Sequence, residues 1–518
     1  MTLSDRVHRF QTLLLSYHPV IVIETVEEER VHTLLKEAVQ QMKIALFEWS
    51  LTRGLQRSPG ADNRWTDEYA PVGTQKPAAL ERTVDPGNML EQIQAMPQRA
   101  VFWLKDFAKH LNDPVVARQF REVAQQFSQT RSAIVVSGNG ISLPPEIAHD
   151  AVYFDLKLPG RDELQQVVAE VVRSLSAKNR IHVQIQNHEM QSLVFALRGM
   201  TLKQARQVTA FAALEDGKLT VNDVERILQR KAQIIRDESM LEYLPTNGNT
   251  PELGGFDGLK HWLERARVGF SPQAQAWNLT PPKGILIVGI QGCGKSMAAK
   301  AIAHDWKLPL LKLDAGKLYD KYVGESEKNF RQAIKLAESM APCVLWIDEI
   351  EKSLGISDSG ADGGLSRRMF GSFLTWMQEK SQEVFVVATA NDISKIPPEL
   401  LRKGRFDEIF FVDLPDVQDR AAILKIHLAQ RKQNPQAFDM VDLVAATDGY
   451  SGAEIEQAVI TALYNALYLK KPLDTELLLG AIRSTVPLSV SRREDLEVLR
   501  AIAKERFVSA KYSFSQKL

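Results

Sequence analysis

Apolar residues in the second half of the chain fall in short unbroken runs, at 285–288, 310–313, 344–347, 384–388 and 409–412, and the stretches between them carry helical patterns. Strand-length runs alternating with helices predict a parallel sheet wrapped by helices. After Asp416 the runs stop, and amphipathic segments at 420–430 and 451–469 predict a helical lid.

The first half repeats this plan in altered form. AVFWLKDF (100–107) lies over CVLWIDEI (343–350), so Trp103 matches Trp346 and Lys105 stands where the second copy has Asp348. AIVVSGNGISLPPEI (133–147) likewise resembles VFVVATANDISKIPPEL (384–400), and both continue to a Leu-Pro pair, at 158–159 and 414–415. Between those landmarks the first copy is three residues shorter and lacks the counterpart of Arg402 to Arg405. Upstream, a strand at 20–24 runs into Thr25, Val26, Glu27, Glu28 and Glu29, whose three carboxylates repel phosphate. Residues 1 to about 245 therefore read as a second copy of the fold without nucleotide chemistry. The competing reading is two unrelated α/β domains that share apolar strands.

The resulting organisation is an α/β domain at 1–165, a helical lid-like region at 166–243, a connection at 244–252, a nucleotide-binding α/β domain at 253–415 and a helical lid at 416–518. The connection, LPTNGNTPE, concentrates Pro, Asn, Gly and Thr, as exposed connections do. A chain of 518 residues also exceeds what one hydrophobic core supports. Lys plus Arg and Asp plus Glu both number 64, so no global field draws the chain to nucleic acid or an anionic membrane. Nothing in the composition indicates nucleic acid as a partner, so action stimulated by nucleic acid is the weakest functional alternative. Two cysteines are too few for a disulfide framework. With no secretory signal and no apolar run long enough to span a bilayer, the expected location is cytoplasmic, or stromal in a plastid-bearing host.

Gly289-Ile290-Gln291-Gly292-Cys293-Gly294-Lys295-Ser296 follows a predicted strand and opens a predicted helix that continues into Met297. This is the context of a phosphate-binding loop: glycines let backbone N–H groups turn around phosphate oxygens at a helix N-terminus. Lys295 should reach the β- and γ-phosphates of ATP, and Ser296 offers its hydroxyl to Mg²⁺. A second strand ends in Asp348 and Glu349. Asp348 is expected to hold the Mg²⁺ shell, which leaves Glu349 as the general base for the attacking water. The fold class is then a P-loop NTPase sheet with a helical lid, preceded by its degenerate copy.

Glu252-Leu253-Gly254-Gly255, the two nucleotide motifs and Gly404-Arg405-Phe406-Asp407 together resemble the AAA subfamily of AAA+ ATPases, over about 251–468. That resemblance implies several roles. Asn391 takes the sensor position that orients the hydrolytic water. Arg402 and Arg405 match the two arginine fingers that reach a neighbouring subunit's γ-phosphate, which makes the expected assembly a homo-oligomer, in the form of a hexamer. Gly452 and Ala453 of the lid lie beside the nucleotide, and Leu253 and Gly254 lie near adenine. Tyr322 and Val323 match a pore loop that grips an extended client protein, against the plainer reading of a tyrosine packed on its own loop. A flexible stretch at 357–364 falls where a second pore loop is expected. With FEWSLTRGL at 47–55 in the degenerate copy, nearly the whole chain resembles the hypothetical chloroplast reading-frame family of AAA ATPases of cyanobacteria and algal plastids. The implied activity is ATP-driven remodelling of a protein client by a ring. Its main competitor is a nucleotide-controlled binding assembly that does not thread.

Overall fold

The computed structural model describes residues 3–58, 82–96, 99–177, 182–183, 187–220, 222–245, 255–314, 325–353, 363–402 and 404–511. The chain divides into two compact units, 1–221 and 222–518.

In the first unit, β1 (Val20–Glu24), β2 (Ala45–Ser50), β3 (Gly54–Arg57), β4 (Ala100–Lys105), β5 (Ala133–Gly138) and β6 (Ala151–Tyr153) form one sheet in the order β3-β2-β4-β5-β1-β6. All neighbours run parallel except the β2–β3 hairpin. Parallel strands are buried on both faces, which is why these runs are apolar without alternation. In β4, Ala100, Phe102 and Leu104 enter the core under the helices Pro86–Ala95 and Pro114–Thr130. Val101 and Trp103 enter the opposite core, under Leu3–Leu15 and Glu28–Met42. Truncating a buried aromatic here, such as Phe102 or Trp103, should cost about 3–5 kcal/mol. Helices Arg161–Ser176, Asn187–Ala196 and Leu202–Glu215 follow, with a short parallel ladder between β7 (His182–Val183) and β8 (Lys218–Leu219).

The second unit contains β9 (Leu241–Leu244), β10 (Gly284–Gly289), β11 (Leu310–Leu313), β12 (Cys343–Ile347), β13 (Val384–Ala390), β14 (Glu408–Val412) and β15 (Val508–Ser509). Their order is β15-β14-β10-β13-β12-β11-β9. Apart from β15, this is the order of the first sheet, down to an antiparallel strand at the same edge: β3 beside β2, and β9 beside β11. The registers agree as well. Trp103 sits opposite Val135 and Trp346 opposite Val387, so Lys105 and Asp348 occupy equivalent strand ends.

Two segments lie elsewhere than their sequence pattern places them. The helix Asp223–Glu238 and β9, expected in the N-terminal lid-like region, pack in the second unit, where Leu241 and Tyr243 join the core. Four residues of alternating burial are too short to signal a strand, and an edge position on β11 completes their pairing. The same helix buries Lys231 to 2% exposure beside Tyr243, with the ammonium 5.2 Å from the ring centroid. Beyond the lid, the chain does not stay helical. The helix Arg493–Arg506 lays Leu496 on the sheet, and β15 pairs in parallel with β14. The lid itself is a separate cluster built on Leu424, Leu428, Ile455, Val459 and Leu478. Among the described residues, no helix is long and apolar enough to cross a membrane.

Candidate nucleotide site

β10 delivers the chain into the phosphate loop, and the loop's glycines are demanded by close approach. A Cβ on Gly289 would lie 2.1 Å from the Val412 carbonyl oxygen. Gly292 has φ +78, and a Cβ there would meet Ala453 Cβ and Ser451 Oγ at 3.0 Å. The helix Lys295–Trp306 opens directly after Gly294, aiming its N-terminus at the loop. Lys295 is 6% exposed, and its ammonium donates to the carbonyls of Gly289 at 2.8 Å and Ile290 at 2.7 Å. Burial pushes this amine down to about 8, against the pull of nearby Glu351, Asp348 and Glu349.

The carboxylates arrive on β12. Asp348 Oδ1 accepts from Ser296 Oγ at 3.1 Å and from Thr389 Oγ1 at 2.7 Å, so hydroxyl and carboxylate stand side by side. A magnesium ion takes few protein ligands and fills its octahedron with water and phosphate oxygens, and this hydroxyl–carboxylate pair is a donor set of that kind. Glu349 follows with φ +46, a left-handed conformation that costs a non-glycine residue about 1–3 kcal/mol. Its backbone N–H donates to Thr389 Oγ1 at 3.0 Å. Its carboxylate is shared between Asn391 Nδ2, at 2.6 Å from Oε1, and Lys352 Nζ, at 2.8 Å from Oε2. Glu351, 5% exposed, accepts the Asn391 backbone N–H at 2.9 Å and so fixes Asn391 from behind.

The lid closes the other side. Ser451 caps the helix Gly452–Tyr468 in a box with Glu454, and the Ala453 N–H donates to the Gly292 carbonyl at 3.0 Å. A cleft of about 580 Å³ runs from the loop to the lid, lined by residues 291–297, Asp348, Glu349, Asn391, Gly452 and Ala453. Gly289 and Ile290, the first residues of the loop, are buried and do not line the cleft. Its far wall was not legible in the sequence: Phe256, His427 and the segment Ser509 to Lys511. The Lys511 amine bridges Asp416 and Asp419 of the lid, an encounter across 92 residues that no local pattern announces.

Arg402 is exposed, and Arg405 is part-buried with its guanidinium donating to the Glu399 carbonyl. Neither lines the cleft of its own chain. Leu253, Gly254, Tyr322, Val323 and most of 357–364 lie outside the described residues. Burial pushes both cysteine thiols up to about 12, so Cys293 is no thiolate at neutral pH despite its place in the loop.

The equivalent place in the first unit is filled from within. Glu27 is 9% exposed; it accepts from Arg30 Nη1 at 2.7 Å and from the Leu202 N–H at 2.7 Å. Leu202 opens a helix capped by Thr201 and Gln204, the counterpart of the lid helix behind Ser451. Arg30 and Arg6 both bridge to Glu163, at 3.3 and 2.7 Å, tying the helix Arg161–Ser176 to the helices Glu28–Met42 and Leu3–Leu15 that cover one face of the sheet. At the strand end, Lys105 pairs with Glu48 at 3.2 Å, where the second unit has Asp348 with Lys312 at 3.8 Å. Glu48 faces Trp103 as Lys312 faces Trp346, so the ion pair is kept with its signs exchanged. A cation there cannot hold a metal, and a carboxylate in the loop excludes phosphate.

Comparison with known proteins separates the AAA module from what precedes it, and its second-domain match runs on through the helix Asp223–Glu238, which packs in the second unit. Residues 285–414 match the ATPase family associated with various cellular activities (AAA), 6–156 the SpoVK-like AAA ATPase N-terminal domain, and 162–238 the SpoVK-like AAA ATPase second domain. The AAA domain-containing protein ycf46 of Guillardia theta is 35% identical over 95% of this chain and 93% of its own length. That of Pyropia yezoensis is 36% identical over 95% and 96%. Protein SAV of Sulfolobus acidocaldarius is 33% identical over 49% of this chain and 33% of its own length. A P-loop sheet with its lid, preceded along the chain by a copy of the same fold whose site is closed by its own side chains, thus agrees with end-to-end similarity in placing this chain in the ycf46 family of AAA-domain proteins, within the AAA ATPases.

Proposed function

We propose that the chain hydrolyses ATP at this cleft, with Mg²⁺, as a subunit of a hexameric ring that remodels a protein client. The observation that carries the hydrolytic reading is the Asn391–Glu349 contact of 2.6 Å at the end of the strand that also presents Asp348. Lys295 and the loop N–H groups bind the phosphates and hold them against the helix N-terminus. When bound, Mg²⁺ supplies charge neutralisation on the β- and γ-phosphate oxygens, held on the protein side by Ser296 and Asp348. Glu349 takes the proton of the attacking water through a carboxylate whose direction Asn391 fixes. Gly452 and Ala453 cover the loop from the lid side.

The ring reading rests on Arg402 and Arg405, which lie on the body outside their own cleft and are suited to serve a neighbour's. A guanidinium supplied in trans is worth roughly 10³ to 10⁵ in rate. The first unit, whose cleft is locked by Glu27, Arg30 and Glu163, then serves as a nucleotide-independent platform. Tyr322 and Val323 are the residues that would grip the client, and the compartment would be the cyanobacterial cytoplasm or the plastid stroma.

The test is ATP hydrolysis against protein concentration for wild type, Glu349→Gln and Arg405→Ala, with mass measured in the same buffers. Specific activity should rise with assembly, and both variants should lose most of it. A monomer that hydrolyses at full rate, with Arg405→Ala silent, would remove the ring and the fingers together. Tyr322→Ala then separates threading, in which client remodelling fails while basal hydrolysis persists, from a binding assembly, in which partner control survives.

A further inference from the structure

The loop carrying Arg402 and Arg405 is fastened to the start of the strand whose other end is the phosphate loop. β10 begins at Gly284 and ends at Gly289. At its start, Asp407 Oδ2 accepts both the Lys283 N–H at 2.6 Å and the Gly284 N–H at 2.8 Å, while the Asp407 N–H donates to the Gly284 carbonyl at 2.9 Å. Lys283 Nζ reaches back to the Gly404 carbonyl at 3.1 Å and to the Gln378 carbonyl at 3.0 Å. Lys380 Nζ donates to the Lys283 carbonyl at 2.6 Å and also to the Val384 carbonyl, so the helix Gly363–Glu379 and β13 meet at the same knot. Phe406, 5% exposed, plugs the loop into the core between the arginines and Asp407.

Three observations make this more than a packed corner. The side chains of Lys283, Lys380 and Asp407 converge on backbone atoms, not on one another, so what they hold is the path of the chain. Gly404 has φ +97, and a Cβ placed on it would meet nothing within 4 Å, so it fills no space, and its carbonyl is held by Lys283. Finally, β10 is buried along all six residues and paired on both sides, so a shift at one end is carried to the other.

We infer that Lys283 and Asp407 are positioning residues for the arginine fingers, making one rigid connection between the phosphate loop of a subunit and the arginines it presents to its neighbour. The inference rests on the trans-finger reading given above. Its consequence is directional. A subunit with a loosened anchor keeps its own site and fails the adjacent one, and its nucleotide state no longer governs where its arginines stand.

The experiment mixes subunits. Asp407→Asn alone should lose about 10²-fold in kcat, the scale expected when a catalytic group is displaced by about 1 Å. Its affinity for a fluorescent ADP analogue and its assembled mass should be unchanged. Lys283→Met should behave alike, with Lys283→Arg restoring most of the rate. Mixed one to one with Glu349→Gln subunits, whose own sites are dead but whose fingers are intact, Asp407→Asn should recover to about a quarter of wild type, because random mixing in a closed ring gives half of the intact sites an intact donor. The double variant Arg402→Ala, Arg405→Ala is the control and should recover in the same mixture. If the control recovers and Asp407→Asn stays dead, its defect lies in its own site and the anchor is overturned. Asp407→Asn at wild-type rate overturns it directly. If the control itself does not recover, the trans-finger reading fails and takes the anchor with it.

Discussion

Asn391 donates its side-chain amide to Glu349 Oε1 at 2.6 Å, joining two residues 42 positions apart at the ends of adjacent parallel strands. The contact sets the direction of the carboxylate that follows Asp348 at the end of β12, the one that Ser296 Oγ does not engage. Asn391→Ala should therefore lower kcat by roughly 10² while leaving ATP affinity within a few fold. Single-turnover hydrolysis beside equilibrium nucleotide binding separates the two, and a matching loss of affinity would make Asn391 a binding residue instead.

Gly292 tests the lid contact. Its φ of +78 and the 3.0 Å approach of Ala453 Cβ leave no place for a methyl group without moving the lid helix. Gly292→Ala should weaken nucleotide binding at least about tenfold, since a shift of about 1.4 kcal/mol suffices. Calorimetric titration with ADP reads it, and unchanged affinity would show that the lid is not set by this loop.

The first unit should bind no nucleotide. Wild type is expected to take up one ATP analogue per chain and Lys295→Met none, measured on the full chain by equilibrium dialysis. In the same unit, Glu27→Ala strands the buried Leu202 N–H while Arg30 keeps Glu163 and the Lys157 carbonyl, so the substitution should cost about 1–3 kcal/mol. The thermal transition of the first unit should fall with no change in nucleotide stoichiometry.

Lys380 makes stability depend on pH. Burial pushes its amine down to about 7, against the opposing pull of Asp407, Cys343 and Glu338, while Lys283 adds to the lowering. The unfolded chain holds this proton to its ordinary value near about 10.4, so between about pH 7 and 10 the unfolded state binds more protons and stability rises with pH. Below about 7 both states are protonated and the slope from this group vanishes. Denaturant titrations across that range should show a steeper rise for wild type than for Lys380→Met, whatever the absolute cost of the substitution. Equal slopes would show that the amine stays charged in the folded protein.

The parts of this site legible in the sequence are those whose chemistry is local. A glycine-rich turn between strand and helix specifies a phosphate cradle because the same eight residues supply the N–H groups, the lysine and the hydroxyl. An unbroken apolar strand ending in Asp348 and Glu349 specifies carboxylates at a sheet edge. The repeat was legible for a similar reason: Trp103 and Trp346 sit at the same register in the two sheets, and strand order follows from packing the same apolar runs.

Tertiary structure alone decided the rest. Glu351, Lys352 and Thr389 gain their roles from what stands opposite them. The sign-exchanged pair of Lys105 with Glu48 needs two strands in register before either charge has meaning. β9 and β15 are strands because a sheet edge was waiting for four and two residues that carry no pattern of their own. Lys511 reaches the lid because the last helix folds back onto the sheet. Sequence determined this protein's chemistry where bonded neighbours supply it; where the partners are distant in the chain, only packing could choose among the many side chains able to pair.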